Sequence, residues 1–428
     1  MNITTIGKGN RRWATGEAAT HFEHGLRVLT SLPDGQETRE LELALQLGRG
    51  TALMAARGYA APEAEAAYAR AEALSGEIAD PSRLAPALYG LGAFYSATGQ
   101  PRKAYECGRR LHAVADALGD PDALIEANVM LGIAQYLRGD AAAAETRFEL
   151  VLDRWEPEKH RDHIFAYGQE PGVVSLTMTA LTHGWLGRLD EALEYAGEAE
   201  LRGREVAHPL TFAYTLAGIG ILYQLVGDVD RAEGTARELV SVASEHGLPM
   251  WLAWGRTMCG WALLERGRAE EEMTEITVGM AGAQVAHSSV MKIHFLSQLA
   301  EAFGRLGYVS EGVTMVDEGF ADLEPTDERV SEAELHRSRG LLHLAANDES
   351  VTAEACFRQG IEVARRQQAL LLELRSATAL AELLAGEERA DEARVLLEDV
   401  TGRFTQGLGT PVLRNASDLL ERVGGARG

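Results

Sequence analysis

Six glycines, Gly99, Gly139, Gly187, Gly227, Gly267 and Gly307, recur at intervals of 40, 48, 40, 40 and 40 residues, each in a short polar stretch such as "RGDAAAAE" or "VGDVDRAE". The residues five positions further on, Ala104, Ala144, Ala192, Ala232, Glu272 and Gly312, keep this register, and Ala64, Ala353 and Ala393 extend it in both directions. Seven residues before each turn glycine stands another small residue: Gly92, Gly132, Ala180, Gly220, Gly260 and Ala300. Seven residues make two helical turns, so this position lies on one helix face, where a missing side chain admits a neighbouring helix. Each unit therefore reads as a helix, a tight turn and an antiparallel second helix. One such hairpin is too small to bury its own apolar face, so successive hairpins must stack.

The positions resemble the tetratricopeptide repeat: a small residue, an aromatic three further on (Tyr95, Tyr223, Phe303), the turn glycine, alanine, then a bulky residue four later (Tyr68, Phe148, Phe357). That repeat has a period of about 34 residues, so 40 implies longer helices or longer linkers. The expected fold is an all-α, right-handed superhelical solenoid of about nine hairpins between Leu43 and Val400. Residues 13–424 form one domain in this reading, capped by helices near Gly16–Leu32 and Pro411–Val423, with flexible ends at 1–12 and 425–428.

In a tetratricopeptide superhelix the first helix of each hairpin lines the concave groove, and its groove-facing residues fall thirteen, ten, six and three before the turn glycine. The resemblance then assigns to the groove Trp254, Thr257, Trp261 and Leu264 from Gly267, and Tyr214 and Gln224 from Gly227. It adds Glu126 and Tyr136 from Gly139, Tyr89 from Gly99, and His294, Ser297 and Glu301 from Gly307. Trp251, at a helix start, is expected to pack instead. Aromatic groups on rigid helices anchor partners at low entropic cost. The competing reading is a superhelix wound tightly enough for these residues to pack on one another.

The period breaks between Ala144 and Ala192, where eight extra residues fall in "WEPEKHRDHIFAYGQEPG", residues 155–172. Two Glu-Pro pairs and two glycines predict a loop. It carries His160, Asp162, His163, Tyr167 and Gln169, and insertions in solenoids often belong to the binding face. His160 and His163 with Asp162 or Glu158 offer nitrogen and oxygen donors, but no strict spacing such as HExxH supports a metal site. No metal and no cofactor is expected. His21 and His24 in "HFEH" read as a solvated helix face.

Composition narrows the function classes. Cys107, Cys259 and Cys356 are far apart and form no CxxC, which argues against a disulfide framework and fits a reducing cytoplasm. A net charge of −23 repels nucleic-acid backbones, so no nucleic-acid partner is expected. No apolar run near membrane-spanning length and no N-terminal apolar segment is evident, so neither membrane insertion nor secretion is expected. Phosphate-loop, dinucleotide-fold and GxSxG signatures are missing, and Cys259 and Cys356 read as small core residues.

The stretches "GYAAPEAEAAYARA", "HIFAYGQEPGV", "GLPMWLAWGRTMCGWAL", "EAELHRSRGLLHL" and "RFTQGLGTPVLRNASDLL" together resemble the C-terminal repeat region of bacterial proteins that join a class III adenylate/guanylate cyclase, a P-loop ATPase and tetratricopeptide repeats. The resemblance runs from about Gly9 to Val423. It implies a regulatory or scaffolding array without catalytic residues, because that family's chemistry resides in domains this chain lacks. The expected function is a binding or regulatory module holding a peptide, a protein segment or a small ligand. Two alternatives stay open: an enzyme with its active site in the groove and the 155–172 loop, or a remnant of a larger signalling protein.

Overall fold

The computed structural model describes residues 11–78, 81–346 and 350–425. A leading helix, α1 (Arg11–Leu29), is followed by three hairpins: α2 (Gln36–Arg57) with α3 (Pro62–Ile78), α4 (Leu84–Ala97) with α5 (Pro101–Leu118), and α6 (Pro121–Leu137) with α7 (Ala141–Leu152). The insertion holds two one-turn helices, α8 (Pro157–His160) and α9 (His163–Ala166). Three hairpins come next: α10 (Pro171–Leu186) with α11 (Leu189–Val206), α12 (Pro209–Val226) with α13 (Val229–His246), and α14 (Pro249–Glu265) with α15 (Ala269–Val285). The last three are α16 (Lys292–Arg305) with α17 (Val309–Thr326), α18 (Glu332–Ala345) with α19 (Ser350–Arg366), and α20 (Leu370–Gly386) with α21 (Ala390–Thr401), capped by α22 (Pro411–Gly425). The described residues thus form nine hairpins in an all-α, right-handed superhelical solenoid without a strand. Of the ends expected to be flexible, Arg11, Arg12 and Gly425 are helical, and the others lie outside the described residues, as does the side chain of Glu272.

All six turn glycines are left-handed, with φ between +65° and +87°. This is the conformation that ends a helix and reverses the chain at least cost for a residue without Cβ. Glu388, five residues before Ala393, takes the same conformation (φ +62°) in the last hairpin, where the register places a glycine. Proline opens α5, α6, α10, α12, α14 and α22, at the position where a missing N–H costs nothing. The small residues two turns before the glycine do what their spacing implies. A Cβ on Gly92 would lie 2.0 Å from Met130 Sδ, and one on Gly220 2.1 Å from Met258 Cε, each methionine arriving from the first helix of the next hairpin.

The superhelix is wound so tightly that one turn rests on the next. Ala97 O accepts from the backbone N–H groups of Ser289 (3.2 Å) and Val290 (3.3 Å), and Leu137 O accepts from Arg329 (2.8 Å) and Val330 (3.1 Å). These carbonyls belong to the last turns of α4 and α6, which lack partners within their own helices, and the loops before α16 and α18 satisfy them. Arg138 pairs with Asp327 at 2.8 Å across the same seam, and Gln406 Oε1 accepts from the N–H groups of Asp190 and Glu191, both at 3.1 Å. The second, third, fourth and fifth hairpins accordingly lie beneath the seventh, the eighth, the ninth and α22. Of the two readings of the sequence, a concave groove and a tightly wound superhelix, the second is nearer: the groove is closed over by the next turn into a lumen.

Burial by that second turn also explains α12. Contrary to the sequence reading, this helix is long and apolar enough to cross a membrane by length and composition, with mean hydropathy 1.4, and 83% of it is buried in the stack. A helix apolar on every face is what a core surrounded on all sides demands.

Candidate functional site

The first helices of five consecutive hairpins, α4, α6, α10, α12 and α14, enclose a chamber that the loop before α16 closes with Val290 and Met291. Its walls are aromatic and sulfur-bearing: Tyr89, Tyr136, Tyr214, Trp251, Trp254 and the methionines at 130, 178, 250 and 291. The cavity between them holds the centres of water-sized spheres over ≈ 110 Å³. Rings step around the wall edge to face, Tyr214 to Trp251 at 5.7 Å, Trp251 to Trp254 at 5.4 Å and Trp254 to Phe295 at 5.3 Å between centroids. Such contacts hold each ring rigidly. Two polar side chains face the chamber with a buried atom that has no partner among the described residues, the Tyr136 hydroxyl and the Gln169 Nε2.

Following the same helices toward their C-termini, the lumen narrows to a neck lined by Gln224, Trp261, Leu264, His294, Ser297 and Gln298, with room for sphere centres of only ≈ 20 Å³. Beyond it the lumen widens to ≈ 420 Å³ between α16, α18, α20 and α22, at a mouth carrying Arg305, Arg337, Arg375, Glu382 and Asn415. Glu301 and Arg375 belong to both neck and mouth. Arg375 holds Glu334 through Nε (3.0 Å) and Nη2 (3.0 Å) and reaches Leu225 O through Nη1 at 3.3 Å, while Arg337 bridges Glu334 and Glu301. Burial alone would raise the Glu334 carboxyl, but the two guanidinium groups hold it well below the usual range. Burial pushes His294 down to about 4, so it is neutral.

The other end of the lumen is plugged by the insertion. His163 Nδ1 meets Glu126 at 2.5 Å, the Tyr167 ring lies 5.0 Å from that of Tyr89, and the Tyr59 hydroxyl donates to Gly168 O at 3.4 Å. Burial pushes Glu126 up to about 7. Burial also pulls His163 down, but the hydrogen bond and charge of Glu126 outweigh it and raise the imidazole above its ordinary value. His160 meets His163 edge to face, with 5.1 Å between ring centroids. Its Nδ1 accepts from the Glu156 N–H at 3.0 Å, so Nε2 carries the proton, and Lys159 occupies Asp122 Oδ1 at 2.7 Å. His160, His163 and Asp122 lie close enough to hold an ion, yet this donor set is built for hydrogen bonds and an ion pair.

The register thus brings Tyr89, Tyr136, Tyr214 and Trp254 to the chamber, Gln224, Trp261 and His294 to the neck, Glu301 to neck and mouth, and Glu126 to the plug. From the insertion it adds His160, His163 and Tyr167 at the plug and Gln169 in the chamber wall. Two expectations are corrected. Thr257 turns away from the lumen: its hydroxyl bonds Ala253 O at 3.0 Å, and it fills the space that a Cβ on Gly279 of α15 would need. Trp251, expected only to pack, lines the chamber. Tyr59, Met291, Arg337 and Arg375 escaped the sequence reading. Tyr59 and Met291 sit in linkers outside the offsets, whereas Arg375 lies thirteen before Glu388 and would have been found had that turn carried a glycine.

Residues 83–156 match the family profile of the tetratricopeptide repeat. An uncharacterized protein of Rhizobium meliloti (strain 1021) is 20% identical over 387 residues, covering 88% of this chain and 36% of that protein, so the chain spans about a third of the relative's length. Among solved structures, the fold is similar to a Rap protein complexed with Competence and Sporulation Factor, with TM-score 0.60 and 12% identity over 88% of this chain and 99% of that one. It is also similar to the Rap conjugation gene regulator of the plasmid pLS20 in complex with a Phr peptide, with TM-score 0.50 and 11% identity over 89% of this chain and 96% of that one. The chain is a tetratricopeptide-repeat-containing protein, a helical solenoid wound around a lumen.

Proposed function

We propose that this chain is a ligand-responsive regulatory module that holds a peptide segment or a small molecule in its lumen. The observation that carries the reading is the chamber itself. Protein interiors are normally packed to crystal-like density with few voids larger than a water molecule, yet five helices here surround a cavity that holds the centres of water-sized spheres over ≈ 110 Å³, with aromatic walls and two polar atoms unpartnered among the described residues. Space of that size and lining suits a ligand better than a structural core. The neck is too narrow for passage, so a ligand reaches the chamber through a wider state of the superhelix, and its binding shifts the population between loose and tight winding. One of the two Rap structures was solved with Competence and Sporulation Factor and the other with a Phr peptide, and the second agrees with a peptide-type ligand in a solenoid of this shape.

On the resemblance to cyclase–ATPase proteins, and because a relative extends well beyond the matched region, we place the module as the sensing part of a larger cytoplasmic signalling system. The test is a screen of peptide and metabolite fractions from the source cell by thermal shift, with wild type beside the chamber-filling variant Ala217→Leu. A fraction that raises the melting temperature of wild type but not of the variant supports the reading. No shift with any fraction, or an equal shift in the variant, overturns it.

A further inference from the structure

The neck, like the chamber, has polar groups that are partly unmatched, and here one carboxamide is unmatched at both ends. Gln224 is 2% exposed, and neither its Nε2 nor its Oε1 has a hydrogen-bond partner among the described residues. Gln298 uses Nε2 on His294 at 3.0 Å and leaves its buried Oε1 unpartnered. A buried carboxamide with both ends unmatched costs about 1–3 kcal/mol per group. On this lumen wall an incoming group with both a donor and an acceptor would recover that cost. The neck as it stands has room for about one water-sized group, and the wider state of the superhelix that admits a ligand would open it to a carboxamide.

Charge decides which group fits. The ionised side chains at the neck cancel, Glu301 and Glu334 against Arg337 and Arg375, and His294 beside them is uncharged. Neither a carboxylate nor an ammonium finds a counter-charge that is not already taken. The chamber beyond, with Trp254 in its wall two helical turns from Trp261 of the neck on α14 and about 10 Å away along the axis, accepts an apolar body.

We propose that the lumen binds a neutral amphipathic amide: a hydrocarbon or aromatic body in the chamber and one carboxamide in the neck, paired with Gln224 and Gln298. This rests on the lumen reading above and adds the chemical class of the ligand. A capped peptide residue and a fatty amide share that chemistry.

Calorimetric titration of the full chain with octanamide, octanoate, octylammonium and N-acetylphenylalaninamide tests it. At least one of the two amides is expected to bind tenfold or more tightly than octanoate and octylammonium, and whichever amide is tighter identifies the source. Gln224→Leu should abolish the tenfold preference while leaving the far-ultraviolet circular dichroism unchanged, since it replaces an unmatched polar group by an apolar one. Gln298→Met, tested in parallel, should reduce the preference in the same direction. A carboxylate or ammonium that binds as tightly as the amides, a preference unchanged by both variants, or no binding by any probe overturns the proposal. Ala217→Leu separates the two levels of inference. If it abolishes binding but the head-group order is not the expected one, only the amide assignment fails; if it leaves binding intact, the lumen reading fails too.

Discussion

Leu137 gives its carbonyl oxygen to the backbone N–H of Arg329 at 2.8 Å, joining the third hairpin to the eighth. Ala97 does the same for Ser289 at 3.2 Å, one hairpin earlier on each side. A solenoid in which each repeat touches only its neighbours has stability that is close to a sum over repeats. This seam adds contacts at long sequence separation, so distant hairpins become thermodynamically coupled and the lumen is shut by the same bonds.

Two turn glycines measure the seam. Gly187 and Gly267 have the same left-handed conformation (φ +87° and +74°), but a Cβ at Gly187 would lie 2.7 Å from Leu370 Cδ2 and 3.1 Å from Phe404 Cε1, whereas one at Gly267 meets nothing within 4 Å. Gly267→Ala should cost only backbone strain, roughly 1–2 kcal/mol. Gly187→Ala should cost about 1–3 kcal/mol more from overpacking against the upper turn. Urea unfolding of both variants decides it, and equal costs would mean that the seam carries no weight.

The architecture was largely legible because turn glycines and small packing residues repeat with the helical geometry that causes them. The closed lumen was only one of two readings the sequence left open. Winding depends on small cumulative rotations between hairpins, and the partners of the seam, such as Ala97 with Ser289 or Gly187 with Leu370, carry no local pattern. The lumen-facing offsets survived closure because they are a property of each helix, whether its groove is open or shut. They failed at Thr257, where the neighbouring glycine of α15 draws the helices close enough for a threonine to fill the gap.

Closure changes what the tryptophan variants report. Trp254 is 7% exposed and packed between Trp251 and Phe295, while Trp261 is half-buried. Trp254→Ala should cost about 3–5 kcal/mol of stability and Trp261→Ala about 1–2 kcal/mol, so loss of binding in the first would be uninformative. Trp254→Phe keeps most of the apolar area and is the variant to use for ligand binding. Chemical denaturation gives the ranking; a Trp254→Ala protein as stable as wild type would place the ring outside the core.

The plug depends on one buried pair. His163→Ala removes the partner of Glu126 and leaves a fully buried carboxyl, which at pH 8 is expected to cost about 3 kcal/mol. Burial raises Glu126 to about 7 even against the lowering pull of His163, so the carboxyl left alone is raised further and takes up a proton as the pH falls, and the cost should shrink with it. Glu126→Gln, which never ionises, should cost less at pH 8. Trypsin cleavage at the exposed Arg161 reports the plug directly: His163→Ala should be cut faster than wild type at pH 8, and unchanged cleavage would show that the loop is held by its other contacts.

Glu328 sits at the seam, 2% exposed, with Oε2 accepting from the Met291 N–H at 3.3 Å and Oε1 unpartnered. Burial pushes its carboxyl up to about 8 from an ordinary value of 4.5. Below the unfolded value both states hold the proton and the group is neutral to stability. Between about pH 4.5 and 8 the unfolded chain has released its proton while the folded chain retains it, so stability falls as the pH rises, at up to ~1.4 kcal/mol per unit. Above the folded value the penalty is constant. Glu328→Gln keeps an acceptor for the Met291 N–H and removes the titration, so its stability relative to wild type should climb by a few kcal/mol across that window and level off beyond it. Other titrating groups cancel in the difference, so melting temperatures of the two proteins from pH 4.5 to 9 isolate this carboxyl. A difference that stays flat with pH would mean that Glu328 ionises within the fold, and that water or a cation reaches the seam from the lumen.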